Sequence, residues 1–186
     1  LITSLFLHGG WMHLSFNMLF LWVFGDNIED SMGHLRFIFF YLICGTLATL
    51  THSIMEYNSN APLIGASGAI SGVLGAYIVI HPRAQILVLF MNIIPLRLPA
   101  IIVLGAWIGI QFFSLGNESN TAWWAHIGGF AAGMALIIPF RKKQIVLFDK
   151  WKFFDKNKNT LTANKIVKRG SSIFPKTLNK NKNNKI

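Results

Sequence analysis

Apolar residues run through this chain in five stretches, 12–24, 37–55, 67–80, 98–115 and 123–140, separated by short polar segments. A helix rises about 1.5 Å per residue and needs about 20 apolar residues to cross the roughly 30 Å hydrocarbon core of a bilayer. The pattern therefore predicts an all-α, polytopic membrane helix bundle. At 14 residues, stretch 67–80 reaches only about two thirds of the way across, so that helix is expected to begin below the membrane surface. Segment 86–94 is also apolar, but it is nine residues long and bounded by Pro82 and Pro95. It reads as interfacial, or buried against the bundle, and not as a further span. Turns are marked at Gly25-Asp26-Asn27, at Asn58-Ser59-Asn60 and at Gly116-Asn117-Glu118-Ser119-Asn120.

Charge divides the chain in two. It is 53% hydrophobic yet carries a formal charge of +10. Residues 1–140 hold three basic side chains (Arg36, Arg83, Arg97) and five acidic ones, net −2, whereas 141–186 hold fourteen basic and two acidic, net +12. A soluble domain rarely runs through 140 residues with eight charges, whereas a bundle of membrane helices does. The expected organisation is a membrane domain over 1–140 and a basic, disordered cytoplasmic tail over 141–186. That tail is Lys/Asn-rich and directly follows a membrane segment, so anionic lipid headgroups are a better partner for it than nucleic acid; a solvated tail with no partner is the plain alternative. Alternating the five stretches across a bilayer places every Lys and Arg on one face, which the positive-inside rule makes cytoplasmic. Trp11, Trp123 and Trp124 then fall at the outer interface and Trp22 near the inner one. The single cysteine, Cys44, lies within an apolar stretch and offers no disulfide framework. No basic leader or cleavage site precedes Leu7 and there is no initiator Met, so the sequence reads as a fragment.

Four polar side chains gather on the outer half of this layout. Ser67 starts the helix that runs inward, and His126 lies near the outer start of the last stretch. His13 and Asn17, four residues apart and hence on one helix face, lie near the outer start of the first. Intramembrane polar groups default to a functional reading. A serine hydroxyl becomes a nucleophile when a base takes its proton, and neutral imidazole suits that task. The oxyanion formed on attack needs fixed donors. The helix N-terminus at Ser67 supplies backbone N–H groups, and His13 and Asn17 can add side-chain ones. Gly68, Gly72 and Gly75 on one helix and Gly129 and Gly133 on another make small-residue faces that allow close packing, which would bring Ser67 and His126 together. Asp26, Glu29 and Asp30 fall on the wrong side and Glu56 and Glu118 in outer loops, so a Ser/His dyad is expected; Glu118 is the one carboxylate that could complete a triad.

These residues resemble the rhomboid intramembrane serine proteases. The resemblance rests on His8-Gly9-Gly10-Trp11-Met12-His13 with Asn17, on Gly65-Ala66-Ser67-Gly68, and on Ala125-His126-Ile127-Gly128-Gly129 with Gly133, in the family's order and spacing over about residues 1–140. It implies five of the family's six core transmembrane helices, the first lying upstream of this sequence with its Trp-Arg loop. It further implies cleavage of other proteins' transmembrane segments, with no cofactor, by Ser67 as nucleophile and His126 as general base and then acid. His13, Asn17 and the Ser67 amide would stabilise the oxyanion. The implied substrates are helices with destabilising residues and a small residue at the cut, entering past the helix that corresponds to 98–115. Where some members carry an aromatic residue one turn after the nucleophile, packed on the imidazole, this chain has Ser71.

Phe16, Phe112 and Phe113 are the candidates for substrate contact, against the plainer reading of core or lipid-facing side chains. His8 reads as an interfacial or water-ordering residue, and His34, His52 and His81 sit at segment ends without a chemical role. No His-x-x-x-His pair or acidic ligand set points to a metal. A catalytically silent relative that binds membrane helices is the alternative function, disfavoured by the retained Ser67 and His126. A transporter is disfavoured because the polar cluster occupies one side only. The implied location is a multi-pass position in a prokaryotic plasma membrane, with the site open to the extracytoplasmic side.

Overall fold

The computed structural model describes residues 2–58, 62–90, 94–115 and 121–148. In chain order these form a 3-10 turn (Thr3–Phe6), α1 (Trp11–Met32), α2 (His34–Met55), α3 (Ser67–Ile80), β1 (Gln85–Phe90), β2 (Ile94–Pro99), α4 (Ala100–Phe113) and α5 (Trp123–Phe140). The helical bundle expected from the apolar pattern is what the chain forms, with one small hairpin added. Residues 116–120, which include Glu118, and the chain from 149 onward lie outside the described residues.

α3 is the hub. Twelve of its fourteen residues are buried, and it is walled by α5, α2 and α1 with lighter contact to α4. A helix this short serves as a central post because its neighbours, not lipid, cover it. Around it Phe24, Ile28, Phe40, Leu74, Ile80, Leu104 and Ile137 make a continuous apolar core.

Two expectations about the elements need correction. The first helix does not turn at Gly25-Asp26-Asn27 but continues to Met32, 22 residues in all. Phe24, Ile28, Ser31 and Met32 are buried at helical spacing, so packing on the core carries the helix through residues whose local preference is for a turn. Trp22 consequently lies mid-helix and 79% exposed, not near the inner end. Gly33, with φ +94°, breaks α1 from α2; a side chain would disfavour that backbone.

The second correction concerns the start of α4. The segment before it, 86–94, packs against the core at Ile86, as a segment buried against the bundle would. It supplies most of β1, paired antiparallel with β2 from Gln85↔Pro99 to Phe90↔Ile94. α4 accordingly starts at Ala100, not at 98. Proline supplies the reason: Pro95 and Pro99 lack an N–H, and the residue before a proline is pushed toward extended backbone, so Leu98 belongs to a strand.

The exposed perimeter is apolar, with Trp11, Leu35, Phe39, Ile54 and Phe113 all more than half exposed. α2 and α5 are long and apolar enough to cross a membrane, and α3 and α4 are shorter apolar helices. Such a perimeter suits lipid better than water. After α5 the chain turns back: Lys142 N–H donates to Ser31 O (2.8 Å), the Lys142 ammonium to Asp30 O (2.8 Å), and Phe148 N–H to Val79 O (2.8 Å). These bonds satisfy carbonyls at the C-terminal ends of α1 and α3.

Candidate active site

Ser67 is the first residue of α3. The segment leading to it is fixed by Gly65, whose N–H donates to Ser4 O (3.0 Å) and whose φ is +115°. A Cβ at Gly65 would also lie 2.7 Å from Cε1 and Nε2 of His13, so both backbone and space demand glycine here. The α3 ladder begins with Ile70 N–H on Ala66 O (3.0 Å), which leaves the N–H groups of Ser67, Gly68 and Ala69 unused by the helix at the positive end of its dipole.

The glycine faces bring α5 against α3 backbone to backbone. A Cβ on Gly129 would overlap Gly68 O, one on Gly133 would overlap Gly72 O, and one on Gly75 would overlap Phe130 O. On the other side of α3, Gly72 meets Cys44 of α2 and Gly68 meets Ala48. At this separation His126, three residues before Gly129, stands over the start of α3. Its Nε2 lies 2.9 Å from Ser67 Oγ, across 59 residues of sequence.

The other ring nitrogen has a partner that the sequence reading did not single out. His126 Nδ1 is 2.7 Å from Oε1 of Gln111, a buried residue of α4. Gln111 Nε2 in turn donates to Trp107 O (3.2 Å). Two tryptophans flank the imidazole: Trp107 with centroids 5.7 Å apart and 37° between planes, and Trp123 edge-on at 6.5 Å and 86°. They hold the ring where Ser71 does not, since the Ser71 hydroxyl is turned to Ser67 O (2.7 Å).

His13 projects from α1 toward the same place, with Asn17 one turn further along that helix. The His13 ring lies over Gly65, and a Cβ there would be 3.8 Å from Ser67 Oγ, so ring and hydroxyl share the space in front of that glycine. Gly9 N–H donates to His13 Nδ1 (3.4 Å), which makes Nε2 the protonated, donating nitrogen. Asn17 is buried and uses one amide N–H on His13 O (3.0 Å), keeping a second donor. His8 packs edge-on to His13 at 5.2 Å. Phe16, Phe112 and Phe113 are 55%, 54% and 91% exposed, outside this cluster.

A serine on a hydroxyl-to-imidazole bond, the imidazole oriented through its far nitrogen, and free donors beside the serine form the geometry that acyl transfer requires. Comparison with known proteins identifies the family. The Rhomboid domain family model matches residues 1–143. The chain is 34% identical over 141 residues to rhomboid protease GluP of Bacillus subtilis (strain 168), covering 75% of this chain and 26% of that protein. It is 32% identical over 145 residues to the mitochondrial rhomboid protein 1 of Saccharomyces cerevisiae, covering 72% and 39%. To RHOMBOID-like protein 5 of Arabidopsis thaliana it is 29% identical over 136 residues, covering 73% and 42%. It thus spans between about a quarter and two fifths of the length of these relatives. The chain belongs to the rhomboid family, whose members are integral membrane proteins.

Proposed function

We propose that the chain is an intramembrane serine endopeptidase that cuts transmembrane segments of other membrane proteins. The observation that carries this reading is the 2.9 Å contact between Ser67 Oγ and His126 Nε2. The Ser67 hydroxyl passes its proton to Nε2 as Oγ bonds to the scissile carbonyl carbon. Negative charge then collects on the carbonyl oxygen, where the Ser67 N–H, His13 Nε2–H and the second Asn17 N–H serve as donors. The imidazolium returns the proton to the departing amine as the C–N bond breaks, leaving an acyl ester on Ser67. Water attacks that ester with His126 as base, releasing the carboxyl product and restoring the hydroxyl.

A helical peptide bond is internally hydrogen-bonded and sterically closed, so a substrate helix must unwind before its carbonyl reaches Ser67. Substrates with helix-breaking residues and a small residue at the cut meet that need. α1 and α4 wall α3 from different sides and pack little on each other, which supports entry past α4, with Phe16, Phe112 and Phe113 lining the approach. The charge pattern supports a multi-pass placement with the site on the extracytoplasmic side. In this reading 1–140 is the membrane domain and 141–186 the basic cytoplasmic tail.

The test is cleavage in vesicles. Full-length protein, co-reconstituted with a single-span substrate carrying a Gly-Pro break and an Ala near its outer end, is expected to cut it at that break. A substrate left whole, or one cut equally well by the Ser67→Ala variant, would refute the reading. The tail is tested separately. Protein held in neutral-lipid nanodiscs is expected to dock on vesicles containing phosphatidylserine at low salt and to detach as salt rises. Docking that is indifferent to salt would contradict an electrostatic role.

A further inference from the structure

A neutral imidazole carries one proton, and it can accept from a serine only if that proton is on the nitrogen facing away. In this chain the away-facing nitrogen is Nδ1, and what it meets is Gln111 Oε1 at 2.7 Å. An amide can present either oxygen or NH2, and the second contact of Gln111 settles which. Its Nε2 lies 3.2 Å from Trp107 O, a carbonyl that can only accept. Turning the amide around would set oxygen against oxygen there and an NH2 donor against Nδ1, so the oxygen faces the histidine. Nδ1 must then carry the proton, and the Nε2 lone pair is left for Ser67.

We infer that Gln111 is the positioning residue that fixes His126 in its Nδ1–H tautomer, and that the seating of α4 thereby governs whether the base is ready. The inference rests on the proposed Ser67/His126 chemistry and extends it to a residue on a different helix. An amide fits this setting where a carboxylate does not: it accepts the same hydrogen bond without placing a second charge in an apolar bundle. Placement matters as much as chemistry. α4 buries only Ala100, Leu104 and Gln111. Its base is tied by Ala100 N–H to Ala84 O and Ile101 N–H to Pro82 O, both 2.8 Å. Near its other end, Gln111 and the Trp107 ring touch the histidine. Movement of that end away from the bundle takes the acceptor with it, so a substrate that displaces α4 on entry meets a competent base only once α4 has returned.

The test uses full-length protein in nanodiscs, with 15N-labelled histidine and the His126 signals identified by their absence from His126→Gln. Nδ1–H and Nε2–H tautomers differ in their imidazole 15N shifts. Wild type is expected to show Nδ1–H. Gln111→Leu, which keeps bulk and removes the acceptor, is expected to move His126 substantially to Nε2–H and to slow labelling by a small fluorophosphonate about 10- to 100-fold. Gln111→Glu, which as the neutral acid favoured in an apolar setting keeps an acceptor for Nδ1–H and an O–H donor for Trp107 O, should recover the Nδ1–H form and labelling to within several-fold of wild type. A Gln111→Leu protein with the wild-type tautomer and labelling rate would overturn the inference. So would Gln111→Glu being as impaired as Gln111→Leu in both readouts, since that pattern marks a packing role alone. The tautomer is read without turnover. Unlabelled wild type that shows Nδ1–H, lost in Gln111→Leu, upholds the positioning role while removing the protease reading.

Discussion

Replacing His126 with alanine should slow fluorophosphonate labelling and substrate cleavage about a thousand-fold or more, and Ser67→Ala should abolish both. The double variant should be no worse than Ser67→Ala. The reason is geometric: Ser67 Oγ has its proton acceptor 2.9 Å away on α5, and the rest of the site provides donors, which cannot take that proton. His13→Ala should cost less, about 100-fold, because it removes one of several oxyanion donors. The ranking is the diagnostic part. Labelling rates and thermal unfolding measured together separate chemistry from folding, and a His126→Ala protein that labels as fast as His13→Ala would show that the imidazole is not the base.

Gly133→Leu should be the most damaging change outside the polar cluster. Even a methyl on Gly133 would overlap the Gly72 carbonyl, and a backbone cannot step aside as a flexible side chain can. α5 would have to move off α3, the packing on which both the core and the Ser67–His126 contact depend. Overpacking a tight contact typically costs about 1–3 kcal/mol, and a clash with main chain belongs at or above the top of that range. We expect a marked loss of thermal stability together with loss of labelling. Gly105→Ala is the control: a Cβ there meets nothing within 4 Å, and replacing glycine within a helix should be neutral or stabilising by up to about 1 kcal/mol. Equal tolerance at the two positions would mean that α3 and α5 are not in backbone contact.

The parts of the site that were legible in sequence are those whose residue type is costly or restrictive in a membrane. Ser67, His126, His13 and Asn17 are polar groups in apolar stretches, and Gly129 and Gly133 have the spacing that close helix packing needs. Gln111 follows the same rule without standing out by it. It is the one strongly polar residue between Ala100 and Phe113, but the side chains that ordinarily orient a catalytic imidazole are carboxylates, whereas an amide accepts the same bond without a charge. Trp107 reads as bulk until its ring is seen beside the imidazole. In the fold, continuous apolar runs separated the helices well. The end of α1 was hidden because Gly25-Asp26-Asn27 favours a turn locally, although Phe24, Ile28 and Met32 keep helical spacing through it. The hairpin was hidden because a short apolar run fits strand or buried helix equally; the prolines at 95 and 99 were the signal that α4 begins later.

The most direct measurement of the central claim is the site of covalent modification. Full-length protein in lipid, treated with a fluorophosphonate and digested for peptide mass spectrometry, is predicted to carry a single adduct on Ser67, with none in His126→Ala over the same interval. An adduct on Ser71 or another serine, or an Ser67 adduct that forms just as fast without the imidazole, would contradict the account.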